Sequence, residues 1–289
     1  MITTALKTQL LQNQKNEITE AHIYDKLART LKSPENRKIL EKIAADERRH
    51  YEVWKTYTDQ DVAPNLFKVW FYYLISRIFG FTFGIKLMER GEEGAQVNYQ
   101  QLIAEIPEAE MIVRDEHEHE EELINLLDEE RLQYMGSVVL GLNDALVELT
   151  GALAGLTLAL QHTRLVALTG SITGIAAAFS MAASEYLSTK SEETSKNPIK
   201  ASVYTGIAYI FTVITLILPY LLVQNIYICL TLTLLAAIGI IAVFNYYIAV
   251  AKDLNFTGRF LEMAGLSLSV AVLSFLVGFI LRAFFGIEV

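Results

Sequence analysis

Arg114-Asp115-Glu116-His117-Glu118-His119-Glu120-Glu121 decides how the first half of this chain folds. Read as helix, it places Glu116 and His119 one turn apart on one face, a carboxylate and an imidazole able to grip one metal ion. Ala45-Asp46-Glu47-Arg48-Arg49-His50 carries the same Asp-Glu-x-x-His pattern earlier in the chain. The repeat extends outward from both. Glu17 precedes Tyr24 by seven residues and Glu92 precedes Tyr99 by seven, so a helix with Glu and then Tyr comes before each Asp-Glu-x-x-His helix. A four-helix bundle on this plan points Glu17 and Glu92 inward from two helices, and Glu47, His50, Glu116 and His119 from the other two. Six such ligands hold two metals, with Glu47 and Glu116 bridging, His50 and His119 terminal, and Glu17 and Glu92 completing each side. Carboxylate and imidazole suit iron or manganese. A lone Glu-x-x-His on a charged helix is usually solvated surface, and His22 and His117 are read that way. Two copies, each behind a matched Glu–Tyr helix, are not.

Composition divides the 289 residues in two. Up to about Arg131 the chain is rich in charge; from Tyr134 on, long apolar runs carry almost none. The net charge of −9 lies almost wholly in the first half, which argues against nucleic-acid binding and suits a site for cations. The one cysteine, Cys229, excludes an intrachain disulfide or a cysteine metal site. Met1–Asn16 is polar and lacks the apolar core of a signal peptide, so the first half is expected in the cytoplasm.

Apolar spacing predicts a helix over Thr3–Leu31 and a second from the Ser33-Pro34-Glu35 start to about Thr58. Asn65–Ile85 is aromatic and apolar but broken by Lys68 and Arg77. A single crossing there would put the two Asp-Glu-x-x-His segments on opposite sides of a membrane, so it reads as an interfacial or crossover segment. Lys86–Ala104 keeps helical spacing, and Pro107 opens a helix over Glu108–Arg131 that can run on toward the membrane.

Five apolar segments then follow, each long enough for a bilayer: Gly136–Leu160, Leu165–Leu187, Ala201–Val223, Ile226–Val250 and Phe260–Phe285. Pro219 is expected to kink or shorten the third. Lys190, Lys196, Lys200, Lys252 and Arg259 flank one side, and only Arg164 and Arg282 the other. The charge asymmetry puts the N-terminal domain in the cytoplasm and Val289 outside, as an odd number of crossings requires. Carboxylates inside a bilayer cost roughly 2.5–3.5 kcal/mol at a helix centre, so they need a reason. Asp144 and Glu148 share a face of the first crossing, and Met181 and Glu185 share one in the second. Carboxylates with a thioether can form a transient site for a divalent transition metal. The other reading of Glu148 and Glu185 is hydration near a membrane face. Asn245 and Glu262 have no spacing that singles them out. Gly151, Gly155, Gly170 and Gly174 permit close helix contact, within a subunit or across a dimer.

Two resemblances rest on these residues. Residues 1 to about 133 resemble the ferritin-like superfamily, nearest to rubrerythrin-type domains. Glu17, Glu47, His50, Glu92, Glu116 and His119 match its di-iron ligands, and Tyr24 and Tyr99 its buried tyrosines. The resemblance implies a spare carboxylate that exchanges ligands on a redox change; Glu89 fits that role and Glu20 fits it less well. The cysteine pairs of rubrerythrin's rubredoxin module are missing. Residues 134–289 resemble the vacuolar iron transporter family, whose yeast and plant members move iron or manganese out of the cytoplasm. Its first-helix Gly-x-x-Asp motif matches Gly141 and Asp144, and its Met-rich second helix matches Met181 and Tyr186. Thr173 stands where plant transporters carry Glu, Glu185 stands where many have Gly, and the family's long insert after the second crossing is absent.

The expected protein is therefore all-α: a ferritin-like four-helix bundle over residues 1–133 and a five-helix transmembrane domain over 134–289, together resembling membrane-bound ferritin exporters. A homodimer in the cell membrane would bind Fe²⁺ or Mn²⁺ in the bundle and export it, with protons as counter-ions on Asp144 or Glu185. The rival is a membrane-anchored ferroxidase or peroxidase, and a third reading makes the bundle a sensor. Glu116 precedes Asp144 by 28 residues, roughly 42 Å in one continuous helix, so the bundle reads as a loading site and not a gate.

Overall fold

Polar side chains start the first helices by accepting backbone N–H groups that have no partner within the helix. Thr3 caps α1 (Thr4–Ala28) through the Leu6 N–H, 3.2 Å. Ser33 caps α2 (Pro34–Thr58) through the Asn36 N–H, 3.3 Å, with Pro34 in the first turn, at the expected start. Asn65 caps α3 (Leu66–Phe79). The computed structural model describes residues 3–31, 33–93, 102–103, 105–125, 133–192 and 196–285; among them there are helices and no strands.

The chain divides into two units, Met1–Glu129 and Glu130–Val289. In the first, α1 and α2 run antiparallel, because Trp54 reaches Glu17 and Thr58 reaches Gln14. The Asn65–Ile85 segment is not one element. Gly80, at φ 104°, ends α3, and α4 (Phe81–Glu93) begins at once. The two helices approach so closely that a Cβ on Gly84 would lie 1.9 Å from Ser76 Oγ. After Pro107 comes α5 (Ala109–Asn125), which runs antiparallel to α2 through Lys42–Glu122 and Arg49–Asp115. The expected continuation of this helix through Arg131 lies outside the described residues, as does Tyr99.

Two apolar layers form the core of this unit. Ile23, Leu27, Leu40, Ile43, Ile85 and Met88 make one. Leu6, Leu10, Trp54, Leu102, Ile106 and Ile112 make the other. Along α1 and α2, the donor residues Glu17, Glu47 and His50 fall between these layers. The fold thus encloses a polar stratum within apolar packing.

The second unit contains five helical spans long and apolar enough to cross a bilayer, which mark an integral membrane protein. The first, Met135–Leu160, is α6 (Met135–Asp144), a π-helical turn (Ala145–Leu149) and α7 (Thr150–Leu160). The others are α8 (Thr163–Ser191), α9 (Pro198–Leu222), α10 (Ile226–Ala251) and α11 (Phe256–Phe285). Pro219 lies inside α9, one turn before its end. The expected glycine contacts occur within the subunit. A Cβ on Gly155 would lie 2.9 Å from the Ser274 carbonyl of α11, and one on Gly174 would lie 2.8 Å from Val213 of α9. Gly170 faces Leu153, and Gly151 faces Val270. These pairs therefore serve internal packing and give no support to a dimer.

Candidate metal centre

Helical periodicity brings Glu47 and His50 to one face of α2, and Glu116 and His119 to one face of α5. Antiparallel packing then sets the two faces against each other, with Glu17 of α1 beside them. Glu17, Glu47, His50 and Glu116 each offer a ligand atom within 4.8 Å of all the others. His50 Nδ1 stands 3.5 Å from Glu17, 3.6 Å from Glu47 and 3.5 Å from Glu116. His119 lies at the margin, its Nδ1 3.3 Å from Glu47 and 3.9 Å from Glu116. The imidazole centroids are 5.9 Å apart. Glu17, Glu47, His50 and His119 are all at most 4% exposed.

Three buried atoms here, Glu47 Oε2, His50 Nδ1 and His119 Nδ1, have no hydrogen-bond partner among the described residues. Orphaned donors and acceptors at such depth are costly unless something else satisfies them. Donors about 2.1 Å from a common ion stand roughly 3–4 Å from one another, the spacing found here. The group could hold a metal ion, and its residues fit one. Glu20, one turn from Glu17, is half-buried and outside the group. The side chains of Glu89 and Glu92 lie outside the described residues.

Sequence reasoning passed over the aspartates that precede each Glu. Asp115 Oδ2 faces His50 Nε2 at 3.3 Å, and Asp46 Oδ2 faces His119 Nε2 at 3.2 Å. The Asp of each copy thus holds the His of the other. With Nε2 given to Asp, Nδ1 is left to face the carboxylates, which is how outer partners orient metal-binding imidazoles. Arg49 donates to both aspartates, at 2.8 Å to Asp46 and 2.7 Å to Asp115. Trp54 Nε1 donates to Glu17 at 2.9 Å. The adjacency of Asp and Glu in both motifs was the available signal, but the exchange of partners between copies exists only in the folded bundle.

The charges set the protonation of this cluster. Burial and the Glu47 carboxylate push Glu17 up to about 8. Burial alone would lower His119, but the Glu47 carboxylate 3.3 Å from Nδ1, with Glu116 beyond it, reverses this and raises it to about 9. His50 is likewise raised, the carboxylates of Glu116, Glu17 and Glu47 outweighing its burial. At neutral pH the metal-free cluster therefore retains protons. An entering cation must displace them, so its affinity rises with pH through this range.

In the second unit the π-helical turn carries Glu148 and directly follows Asp144. Ser267 Oγ of α11 donates to the Leu146 carbonyl in that turn, 2.6 Å. Asp144 is half-buried and lies within interaction range of Glu148 and the Tyr209 hydroxyl. Tyr209 donates to Glu148 at 3.2 Å. Met181 is half-buried against the core that contains Tyr209. Glu185 accepts from Ser137 Oγ at 2.5 Å, so it is joined to the first span, as is Glu148 to the third. Tyr209 and Ser137 had no spacing signal. Gly141 had one, and its reason is steric: a Cβ there would lie 2.5 Å from the Thr205 carbonyl of α9.

The fold and these sites define the class: a helical integral membrane protein with a buried carboxylate–imidazole cluster in its first unit. Residues 135–197, the first two spans and their connection to the third, match the model of the VIT family. Comparisons with curated proteins and with solved structures gave no match.

Proposed function

We propose that the chain is a membrane transporter that exports Fe²⁺, Mn²⁺ or both from the cytoplasm, with a ferritin-like di-metal domain over residues 1–133 that captures or senses the metal. The observation that carries this is the VIT-family match over the two spans bearing Asp144, Met181 and Glu185, in the same chain as a cluster able to hold a metal ion. Glu17, Glu47, His50 and Glu116, with His119 and Glu92, are the residues assigned to the captured metal. A metal bound there would supply redox or Lewis-acid chemistry. Asp144, Glu148, Met181 and Glu185 are assigned to the path across the membrane over residues 134–289. A cytoplasm at negative potential opposes cation export by about 2.3 kcal/mol per elementary charge per 100 mV, so protons exchanging on Asp144 or Glu185 are the expected counter-ions.

The competing reading is a membrane-anchored di-iron ferroxidase or peroxidase. The cluster able to hold a metal ion suits this reading as it suits capture. Proteoliposomes offered Fe²⁺ and Mn²⁺ in competition separate the two. Ion movement that Asp144→Ala abolishes supports transport. Peroxide-dependent Fe²⁺ oxidation with no ion movement in either protein replaces the transporter with the enzyme.

A further inference from the structure

The helix α3 has its faces reversed for a cytoplasmic bundle. Val69 and Ser76 are buried, and Tyr72 and Tyr73 half-buried, on the side packed in the unit. On the opposite side Leu66, Phe67, Trp70, Phe71, Leu74 and Ile78 stand between 43% and 79% exposed. Their spacing follows the helical repeat, so one apolar stripe runs the length of a 14-residue helix, roughly 21 Å. A stripe of this size is uncommon on a surface that faces only water.

Charge on this element is of one sign. Although the chain as a whole is at −9, α3 carries exposed Lys68 and Arg77 and no acidic residue. Lys26 of α1 adds a third cation, its Nζ 3.3 Å from the centre of the Trp70 ring and 4.9 Å from that of Tyr73. Aromatic rings beside cations along an apolar stripe are the composition of a helix lying in a membrane interface.

We propose that α3 lies along the surface of an anionic bilayer, its apolar stripe in the headgroup–acyl boundary and Lys26, Lys68 and Arg77 against lipid phosphates. The five spans of the same chain keep that bilayer at high effective concentration, so modest affinity suffices. Spanning is excluded by length, since roughly 21 Å falls short of a core about 30 Å thick. A second copy of the chain fits less well, because two-fold pairing of the stripe would set Lys68 and Arg77 against the same cations. The proposal does not depend on which ion is moved.

The chain has two tryptophans, and Trp54 is fully buried, so Trp70 is a natural depth probe. The full chain is reconstituted in phosphatidylglycerol-containing vesicles with bromine-labelled lipid, as wild type and as Trp70→Phe. The expected result is quenching of the wild type, stronger for bromine near the headgroup than near the chain end, with most of it lost in Trp70→Phe. Equal quenching in the two proteins overturns the proposal. So does an unquenched Trp70 together with cross-linking between copies through Leu74→Cys, which would assign the stripe to a chain–chain contact.

Discussion

Asp46 and Asp115 touch none of the space between the donor atoms, yet each fixes the ring of a histidine that does. Replacing either with alanine removes the partner of Nε2 and frees the imidazole to turn its other nitrogen inward. Losses of this kind typically lower metal affinity 10–100-fold. Titration of the full chain with Mn²⁺ by calorimetry should show about that weakening for Asp46→Ala and Asp115→Ala alike. Wild-type affinity in both would remove the aspartates from the centre. Of the expected donors, Glu47, His50 and Glu116 were legible in the sequence as a group, because the repeated Asp-Glu-x-x-His pattern sets a carboxylate and an imidazole one helical turn apart. The aspartates were not, since each acts on a residue at least 65 positions away.

Elements show the same division. Long apolar runs of some 25 residues with few charges marked the five spans to within a few residues at each end. Gly80 escaped notice because an apolar pattern continues across it, and only the backbone at φ 104° makes two helices of one. The π-helical turn at Ala145–Leu149 was equally hidden, for the residues in it are ordinary helix formers. Such turns inside α-helices often accompany functional sites, and this one lies between Asp144 and Thr150. The contact of α6 with α9 depends on Gly141, where a side chain would meet the Thr205 backbone and not a flexible neighbour. Gly141→Val should therefore destabilise the membrane unit by about 1–3 kcal/mol, as forced overpacking does. Gly239→Ala, where a Cβ meets nothing within 4 Å, is the control and should be neutral or slightly stabilising. Equal thermal midpoints for Gly141→Val and the control in detergent would show that α6 and α9 do not rely on this contact.

For the whole molecule the proposed division of labour makes a kinetic claim. If the first unit supplies ions to the second, its value is greatest when metal is scarce. Glu47→Ala should slow transport by reconstituted protein at low metal and leave it near wild type at saturation. No change at either concentration removes both capture and sensing from the first unit. The crossed bonds of Asp115 to His50 and Asp46 to His119 bear on this in another way. Each Asp-Glu-x-x-His segment supplies a carboxylate and an imidazole, but the support for its own imidazole comes from the opposite segment. Neither repeat is a complete site by itself, and a chain bearing only one could assemble the centre only by meeting a second molecule. The duplication therefore stores, within one polypeptide, the geometry of a two-fold pair. Arg49, bound to both aspartates, is present in only one repeat, where Glu118 takes the equivalent place in the other, and so it marks the point at which the two halves are no longer interchangeable.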